Sequence, residues 1–394
     1  MEYTKKVILW IETSGIYGRA LLAGVAKYSR LHGPWSFYRK PPVYINHSSQ
    51  KDAIKRVKQF DPDGIIVRQT EEIEPLFELD LPIIISPWNK ELVKPYPYII
   101  GNCPGITKMA AEHLIDRGFI NFAYCGFEGL PFSKRRAEGF THYLESLGFH
   151  PHIYESPHRK QARFWVREKP YLTNWLKSLP KPIGVMACND DRGQDVLETC
   201  ADASIQVPDE VAVIAVGNDP TICEFSNPPL SSVATDGERV GYEAAAMLDR
   251  LMSGKEEMNS QRILVQPKYV VTRHSTDVLA IEDRYLADAL RFIRQNAKSY
   301  IQVCDVVEAV PLSRRMLEKK FRQTLGHSIH KEICRKRIEQ IKMILIETDK
   351  PVYEIAAILG FGAADSLSRF FKRETGISPL AFRKNYTKSI TPLH

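Results

Sequence analysis

The sequence predicts two doubly wound, parallel α/β lobes followed by an all-α domain that contains two helix-turn-helix units. Three observations support this fold class. Short apolar runs alternate with amphipathic helical stretches over roughly the first 275 residues. The positive charge is concentrated in the last quarter of the chain, and that quarter repeats itself at a spacing of about 50 residues. We expect domains at 1–277 and 286–388, joined by a linker at 278–285.

The strands of the first domain are predicted by apolar runs of three to six residues between turn residues. These runs are 7–11, 64–67, 82–86, 122–125, 183–187, 211–216 and 231–233. Amphipathic stretches of helical period lie between several of them, at 19–31, 106–117, 134–147, 194–203 and 239–252. Strands that are apolar on both faces and alternate with helices are typical of parallel sheets. A segment of this length exceeds one ordinary core, so we predict two lobes.

Composition indicates a globular protein and gives no sign of a membrane anchor. Hydrophobic residues make up 44% of the 394 residues and charged residues 26%. No apolar run approaches the ~18 residues of a membrane span, and the apolar stretch at 7–11 is too short for a signal peptide. We therefore expect a cytoplasmic protein without a membrane partner. The seven scattered cysteines form no C-x-x-C pair, which favours reduced thiols over disulfides, and neither they nor the histidines indicate a metal or cofactor site.

The net charge of +7 is distributed unevenly. Residues 284–394 contain 21 Lys and Arg against 11 Asp and Glu, a net charge of +10, whereas the rest of the chain carries −3. This asymmetry suggests a polyanion-binding module attached to a nearly neutral domain. A solvated basic surface is the alternative that charge alone leaves open.

The carboxy-terminal quarter contains an internal repeat. Four residues of its first half recur 50 positions later, with Leu317, Phe321, Gly326 and Ser328 matching Leu367, Phe371, Gly376 and Ser378. Upstream the offset is 49, because the two turns differ in length by one residue. Each half therefore predicts a short helix, a tight turn and a second helix, the pattern of a helix-turn-helix unit.

The second helix of each unit has an apolar back and a polar front when it is projected at 100° per residue. The fronts comprise Arg314, Arg315, Glu318, Lys319 and Arg322 in the first unit and Ala364, Asp365, Ser368, Arg369 and Lys372 in the second. The backs comprise Met316, Leu317 and Phe321, and Leu367, Phe370 and Phe371. Such a helix can lie in a major groove while its domain holds it from behind. An ordinary amphipathic surface helix is the alternative, but two equivalent helices in a basic segment disfavour it.

A long helix at 328–346 connects the two units and could hold both recognition helices on one DNA face, about one turn (~34 Å) apart. It carries three consecutive basic residues at 335–337. Their expected role is left open between phosphate contact and simple solvation.

These residues carry a family resemblance. Ile355-Ala356, Gly360-Phe361, Ser368-Arg369-x-Phe371-Lys372 and Gly376-x-Ser378-Pro379-x-x-Phe382-Arg383 follow, without gaps, the pattern of AraC-family DNA-binding domains. The resemblance implies double-stranded DNA as a partner, with the two polar fronts in successive major grooves and Arg322 and Lys372 nearer to phosphate. The first unit departs from the pattern at Pro311, where a turn glycine is usual, and at Val307, where alanine is usual. We expect a tighter or tilted first turn, because proline fixes φ.

The first domain places polar and aromatic residues directly after its predicted strands. Ligands of doubly wound folds bind at these carboxyl ends of the strands. Paired donors and acceptors beside an aromatic face are suited to a neutral polyhydroxylated ligand. Helix caps and turns are the competing role for any single residue. The candidates after the strands are Glu12, Ser14, Tyr17, Arg68, Trp88, Asn189, Asp190, Asn218 and Asp219.

This domain resembles the sugar-sensing core of LacI-type repressors and periplasmic sugar-binding proteins. The matching pieces are Arg136-x-x-Gly139-Phe140, Ala187-x-Asn189-Asp190, Asn218-Asp219, Pro229-Leu230-Ser231-Ser232-Val233 and Arg273-x-Ser275-Thr276. The resemblance implies that Arg136, Asn189, Asp190 and Asn218 contact sugar hydroxyls, with Asp219 beside them. It also implies a homodimer. Asn218 stands where the family more often has aspartate.

A LacI-like sensor followed by an AraC-like domain is the order of regulators of xylose operons. The resemblance therefore implies a transcription activator with D-xylose as its effector and RNA polymerase as a further candidate partner. Another pentose, a hexose or a polyol is the alternative effector. A non-regulatory sugar-binding protein or an enzyme is disfavoured, because no G-x-G-x-x-G follows the first strand and no Walker-A loop or G-x-S-x-G elbow occurs.

Overall fold

The first part of the chain folds into two parallel α/β lobes, and the last part is entirely helical. The computed structural model describes residues 3–39, 50–68, 74–87, 96–155, 165–278 and 283–387. Each lobe contains one six-stranded sheet. The fold class predicted from the sequence is therefore confirmed.

Lobe 1 is built on a sheet with the strand order β11-β5-β4-β3-β1-β2. Its strands are β1 (Lys6–Trp10), β2 (Ser36–Arg39), β3 (Gly64–Arg68), β4 (Ile83–Ser86), β5 (Tyr98–Gly101) and β11 (Arg262–Val265). Its helices are α1 (Ile16–His32), α2 (Gln50–Phe60), α3 (Glu74–Phe77) and α9 (Gly237–Met252). All neighbouring strands run parallel, and one face of the sheet packs on α1 and α9.

Lobe 2 has the strand order β12-β10-β9-β8-β6-β7. Its strands are β6 (Phe122–Cys125), β7 (His152–Ile153), β8 (Ile183–Ala187), β9 (Val211–Gly217), β10 (Ser231–Thr235) and β12 (Pro267–Val271). Its helices are α4 (Cys103–Ile115), α5 (Pro131–Glu145), α6 (Trp165–Ser178), α7 (Asp190–Asp202) and α8 (Pro220–Phe225). The strands are parallel except for β12, which runs antiparallel to β10.

The sequence predicted the buried strands and missed several strands of weaker pattern. All seven predicted runs are strands, and five further strands occur at β2, β5, β7, β11 and β12. Four of these five are the outermost strands of their sheets. An outer strand packs on fewer neighbours, so its sequence does not form a continuous apolar run. The five predicted helical stretches are confirmed as α1, α4, α5, α7 and α9, with shifted ends.

The chain crosses between the lobes three times, and hydrogen bonds tie the crossings together. Asn102, Asp236 and Gln266 lie on the three crossing segments. The Asn102 amide donates to the side-chain oxygen of Gln266 over 2.6 Å. The Gln266 backbone N–H donates to the Asp236 carboxylate over 2.7 Å. These contacts join the three crossing segments, which together are called the hinge below.

The helical part consists of two small cores that share one long helix. Its helices are α10 (Arg284–Gln295), α11 (Val303–Glu308), α12 (Arg314–Leu325), α13 (Ile329–Glu347), α14 (Val352–Ile358), α15 (Ala364–Thr375) and α16 (Pro379–Thr387). The first core contains Leu290, Leu317 and Phe321 together with the start of α13. The second contains Leu367 and Phe371 together with the end of α13. The predicted long helix and both helix-turn-helix units are confirmed.

The repeated glycines and serines have the same role in each half. Gly326 and Gly376 end α12 and α15 with positive φ values of 74° and 81°, which glycine adopts without strain. The side chains of Ser328 and Ser378 then accept backbone hydrogen bonds at the start of the next helix. The turns inside the units differ, since Gly360 has a φ of 67° while the first turn passes Pro311 without a left-handed residue.

Candidate functional site

A cleft of about 440 Å³ lies between the two lobes at the carboxyl ends of their strands. Both lobes contribute side chains to its wall, because the strands of each sheet end facing the other lobe. This is where ligands bind in doubly wound folds. The lining is mixed, with seven ionisable side chains of Asp, Glu and Arg beside aromatic and aliphatic ones.

The lobe 1 wall contains an organised polar group. The Glu12 carboxylate, after β1, lies 3.6 Å from the Arg68 guanidinium at the end of β3. The Tyr17 hydroxyl is hydrogen-bonded to the Ser86 hydroxyl over 2.9 Å, and the Arg68 guanidinium lies 5.1 Å from the Tyr17 ring. Burial favours the neutral form of Glu12, but hydrogen bonds from Ser14 outweigh it and lower the pKa of Glu12. Glu12 is therefore ionised at neutral pH, and its charge opposes the burial that lowers the pKa of Arg68.

The lobe 2 wall is formed by the start of two helices. Arg136, on α5, lies 5.4 Å from the Phe132 ring and donates a hydrogen bond to the carbonyl of Cys188. Asn189 caps α7, and its side-chain oxygen accepts from the Arg192 backbone N–H over 3.1 Å. Its amide donates to Asp191 over 2.6 Å. The cap explains why Asn189 stands at this strand end, and it leaves the amide group at the cleft.

Asp190 and Asp219 differ in their surroundings. The Asp190 carboxylate is buried and accepts from the Ser232 hydroxyl over 2.5 Å and from the Asp219 backbone N–H over 2.8 Å. Burial raises the pKa of Asp190 despite these bonds. Asp219 forms a 2.5 Å ion pair with Arg19 of α1, a contact between the lobes. Asp190 thus supports the loop after β9, while Asp219 connects lobe 2 to lobe 1 beside the cleft.

The structure brings together eight of the ten residues predicted to bind the ligand. The cleft is lined by Glu12, Ser14, Tyr17, Arg68, Arg136, Asn189, Asp190 and Asp219. Asn218 does not belong to this lining. Its φ is positive, at 59°, and its side-chain oxygen accepts from Arg273 over 2.9 Å. Trp88 lies outside the described residues.

Sequence reasoning missed several residues of the cleft wall that carry polar or aromatic groups. Among them are Phe127, Phe132, Arg135, Asp191 and Thr235. Phe127 follows the end of β6, so the strand-end rule could have found it. Asp191 adjoins two residues that were chosen. Arg135 adjoins Arg136 on a helix, where only one of two neighbours usually faces a given surface.

The helical part presents two recognition-type helices, α12 and α15. Leu317, Phe321, Leu367 and Phe371 are fully buried behind them. On the fronts, Arg314, Arg315, Lys319, Arg322, Asp365, Arg369 and Lys372 are exposed, while Glu318, Ala364 and Ser368 are partly buried. Met316 does not belong to the apolar back, because 47% of it is exposed. It lies next to the buried Leu317 on α12, just past the edge of the buried stripe.

The basic residues at 335–337 are largely engaged inside the protein. Arg337 donates to the backbone carbonyls of Ser299 and Leu359, each over 2.8 Å, and its guanidinium lies 4.3 Å from the Phe361 ring. Lys336 is buried and pairs with Glu339 over 2.9 Å. Arg337 therefore joins the segment before α11 to the end of α14 across α13. The two roles considered from the sequence were phosphate contact and solvation, and neither describes the side chains of Lys336 and Arg337.

Two protein-family models match separate parts of the chain. A periplasmic binding protein-like domain matches residues 111–276. A helix-turn-helix domain matches residues 306–385. The first match covers most of lobe 2 together with α9 and β11, and the second covers both helix-turn-helix units.

Similar proteins match this chain along nearly their whole length. The xylose operon regulatory protein of Haemophilus influenzae is 28% identical over 98% of this chain and 99% of its own. That of Escherichia coli K12 is 29% identical over 97% of this chain and 98% of its own. A solved structure described as the xylose-binding transcription activator xylR is 27% identical, with a TM-score of 0.61 over 98% of this chain and 99% of that one.

The chain combines a periplasmic binding protein-like domain with a helix-turn-helix domain, and its similarities support a sugar-responsive DNA-binding regulator. The similar proteins named above are transcription regulators and not enzymes. Within the described residues, no three His, Cys, Asp or Glu side chains are arranged to hold a metal ion. None of the described helices is long and apolar enough to cross a membrane.

Proposed function

We propose that this regulator is a cytoplasmic homodimer that activates a sugar-catabolic operon in response to D-xylose. The observation that carries the proposal is the interlobe cleft, whose wall combines hydrogen-bonding side chains from both lobes with aromatic faces. The similarity to xylose operon regulators along the whole chain supports the choice of sugar and of activation. RNA polymerase is the partner that an activator requires.

The charges of the cleft favour a neutral sugar over a sugar phosphate. Its ionisable lining consists of four carboxylates and three guanidiniums, and one carboxylate, Asp219, is already paired with Arg19. This set is nearly balanced, so a dianionic phosphate gains little. Within the described residues, the Nε atoms of Arg135 and Arg136 are buried and have no hydrogen-bond partner. Ligand hydroxyls can satisfy buried donors of this kind.

Sugar binding is tested by calorimetric titration of the full-length protein with D-xylose, other pentoses, hexoses and polyols. We expect D-xylose to bind most tightly and to raise the melting temperature, because a ligand at ~100 times its Kd stabilises the folded state by about 2.7 kcal/mol. Arg136→Ala removes a charged donor and should weaken binding about ten- to a hundredfold. Lys134→Ala, on the exposed side of the same helix, should bind as the wild type does. Tighter binding of another sugar would replace D-xylose as the effector, and no binding at all would refute the sensor function.

DNA reading is tested by selecting bound duplexes from a random library with the full-length protein. We propose that Arg314, Arg315, Glu318 and Lys319 face one major groove and that Ala364, Asp365, Ser368 and Arg369 face the next. Arg369→Ala should relax the preference at one guanine position and cost about 1–3 kcal/mol. Lys372→Ala should weaken binding to all DNA sequences alike. It should also lower the slope of log K against log salt concentration by about 1. Equal effects of the two variants on sequence preference would contradict these roles.

The proposed regulation couples the two sites. The sugar closes the lobes about the hinge at Asn102, Asp236 and Gln266, and the closure repositions the DNA-binding domains of the dimer. Ligand and DNA then alter each other's affinity by the same factor, as linkage requires.

A further inference from the structure

The helix α4 extends from the ligand cleft to the DNA-binding domain. At its start, Cys103 and Ile106 line the cleft, and its cap Asn102 belongs to the hinge. Just past its end, Asp116 forms an ion pair with Arg335 of α13. Thirteen helical residues span about 20 Å at ~1.5 Å per residue. One rigid element therefore connects the hinge with the helix that carries both helix-turn-helix units.

The end of α4 is the place where three parts of the chain meet. Arg117 is buried and donates to the carbonyl of Thr276 over 2.6 Å, so it anchors the segment that leaves lobe 2. Arg294 of α10 donates to the backbone carbonyls of Asp116 and Val278, each over 3.3 Å. The end of α4 therefore joins three parts of the chain at one point. They are lobe 2, the segment that leads to the linker, and the DNA-binding domain.

The contact is specific in charge and in position. Arg335 is held in place by Glu332, one helical turn earlier, whose carboxylate lies 2.8 Å from the guanidinium. It also lies 3.5 Å from the Glu339 carboxylate of its own helix, whereas Asp116 lies 219 residues away in the sequence. Asp116 has a second tie to the same domain through its carbonyl and Arg294. Loss of either charge removes the ion pair without emptying a hydrophobic core.

The position of α13 determines the position of both recognition helices. Its first half packs in the core of the first unit and its second half in the core of the second. Arg337 also fastens α13 to the backbone at Ser299, just before the first unit, and at Leu359 in the second unit. A movement of α13 relative to lobe 2 therefore moves α12 and α15 together.

We propose that the Asp116–Arg335 ion pair is the coupling contact that makes the DNA-binding domain move with lobe 2 when the lobes close. A covalent linker limits the distance between two domains, but it does not fix their orientation. The ion pair, together with Arg294, fixes the orientation, and α4 aligns it with the hinge. Asp116 and Arg335 are positioning residues that touch neither sugar nor DNA. The inference rests on the proposed sugar-dependent regulation.

The test is a double-mutant cycle on the full-length protein. Asp116→Asn, Arg335→Gln and the double variant are compared with the wild type for the Kd of D-xylose, and for the Kd of a library-selected duplex with and without saturating sugar. We expect near wild-type sugar affinity in all variants. The sugar-induced change in DNA Kd should fall at least about threefold in each single variant, with no further loss in the double variant. The reciprocal effect of DNA on sugar affinity should fall equally.

The control is Asp288→Asn, which removes an exposed ion pair with Arg291 on α10. It should retain the full effect of sugar on DNA binding. The inference is overturned if Asp116→Asn and Arg335→Gln also retain the wild-type effect, or if their losses simply add. A wild-type protein that binds sugar and DNA without any mutual effect would refute the proposed regulation itself, and the inference with it.

Discussion

Arg192→Ala should lower the free energy of unfolding by about 3–5 kcal/mol, because it leaves a buried carboxylate without its partner. Arg192 is fully buried on α7, and its guanidinium lies 2.5 Å from the Glu168 carboxylate of α6. It also lies between the rings of Phe127 and Tyr154, at 4.9 and 5.3 Å from their centres. Truncation removes all of these contacts, while Glu168, only 6% exposed, stays behind.

Denaturant unfolding followed by tryptophan fluorescence measures this loss, since Trp175 lies 5.1 Å from Tyr154 in the same lobe. The double variant Glu168→Met with Arg192→Met should recover most of it, because an apolar pair in place of a buried ion pair is often close to neutral. Lys177→Ala, on the exposed side of α6, should change stability by less than about 0.5 kcal/mol. A single variant within 1 kcal/mol of the wild type would mean that the pair is not buried as described.

Arg192 also matters for the cleft, because Phe127 lines it. The guanidinium supports one face of that ring from inside lobe 2. The same helix begins with the Asn189 cap and with Asp191 at the cleft. This support could not be predicted from the sequence, since Glu168 and Arg192 are 24 residues apart and each is a residue type that usually lies on the surface.

Periodicity was sufficient for the parts of the fold that are buried on both faces. The strand at Ile183–Ala187 is fully buried, so its sequence is a continuous apolar run that predicts a buried strand. The strand at Ser36–Arg39 has no fully buried residue, and its composition does not distinguish it from a loop. The repeat in the helical part was detectable because both halves need the same buried leucine, buried phenylalanine and left-handed glycine.

The sequence predicted which residues follow the strands and therefore lie near the cleft, but it did not predict which of their side chains face it. Asn189 and Asn218 both follow strands, but the direction of a side chain depends on the local backbone. Asn218 has a left-handed φ, and its side-chain oxygen accepts a hydrogen bond from Arg273, which lies 55 residues away in the sequence. In the same way, the sequence left the charges at 335–337 open between phosphate contact and solvation, because their partners, Asp116 and the carbonyls of Ser299 and Leu359, are contributed by the tertiary fold.

Gly24→Ala should destabilise lobe 1 by about 3 kcal/mol, opposite in sign to the gain of nearly 1 kcal/mol that alanine gives inside an unconstrained helix. A methyl group at Gly24 of α1 would lie 2.0 Å from the Glu238 carbonyl oxygen and 2.6 Å from the Tyr242 nitrogen, both on α9. A methyl group at Gly241 of α9 would lie 2.1 Å from the Leu21 carbonyl oxygen. These atoms belong to the backbone, so neither helix can relieve the clash by a rotamer change.

The helices must instead move apart, which opens the core that they close over the sheet of lobe 1. Leu21, Val25, Val240 and Leu248 are buried in that core and lose contacts together. Because α1 also carries Tyr17 into the cleft, the variant should bind sugar more weakly as well as melt earlier. Gly15→Ala, where no atom lies within 4 Å of the added methyl group, is the control and should change stability by less than about 1 kcal/mol. If Gly24→Ala melted at or above the wild-type temperature, helix propensity would outweigh the contact, and α1 and α9 could not be packed backbone to backbone.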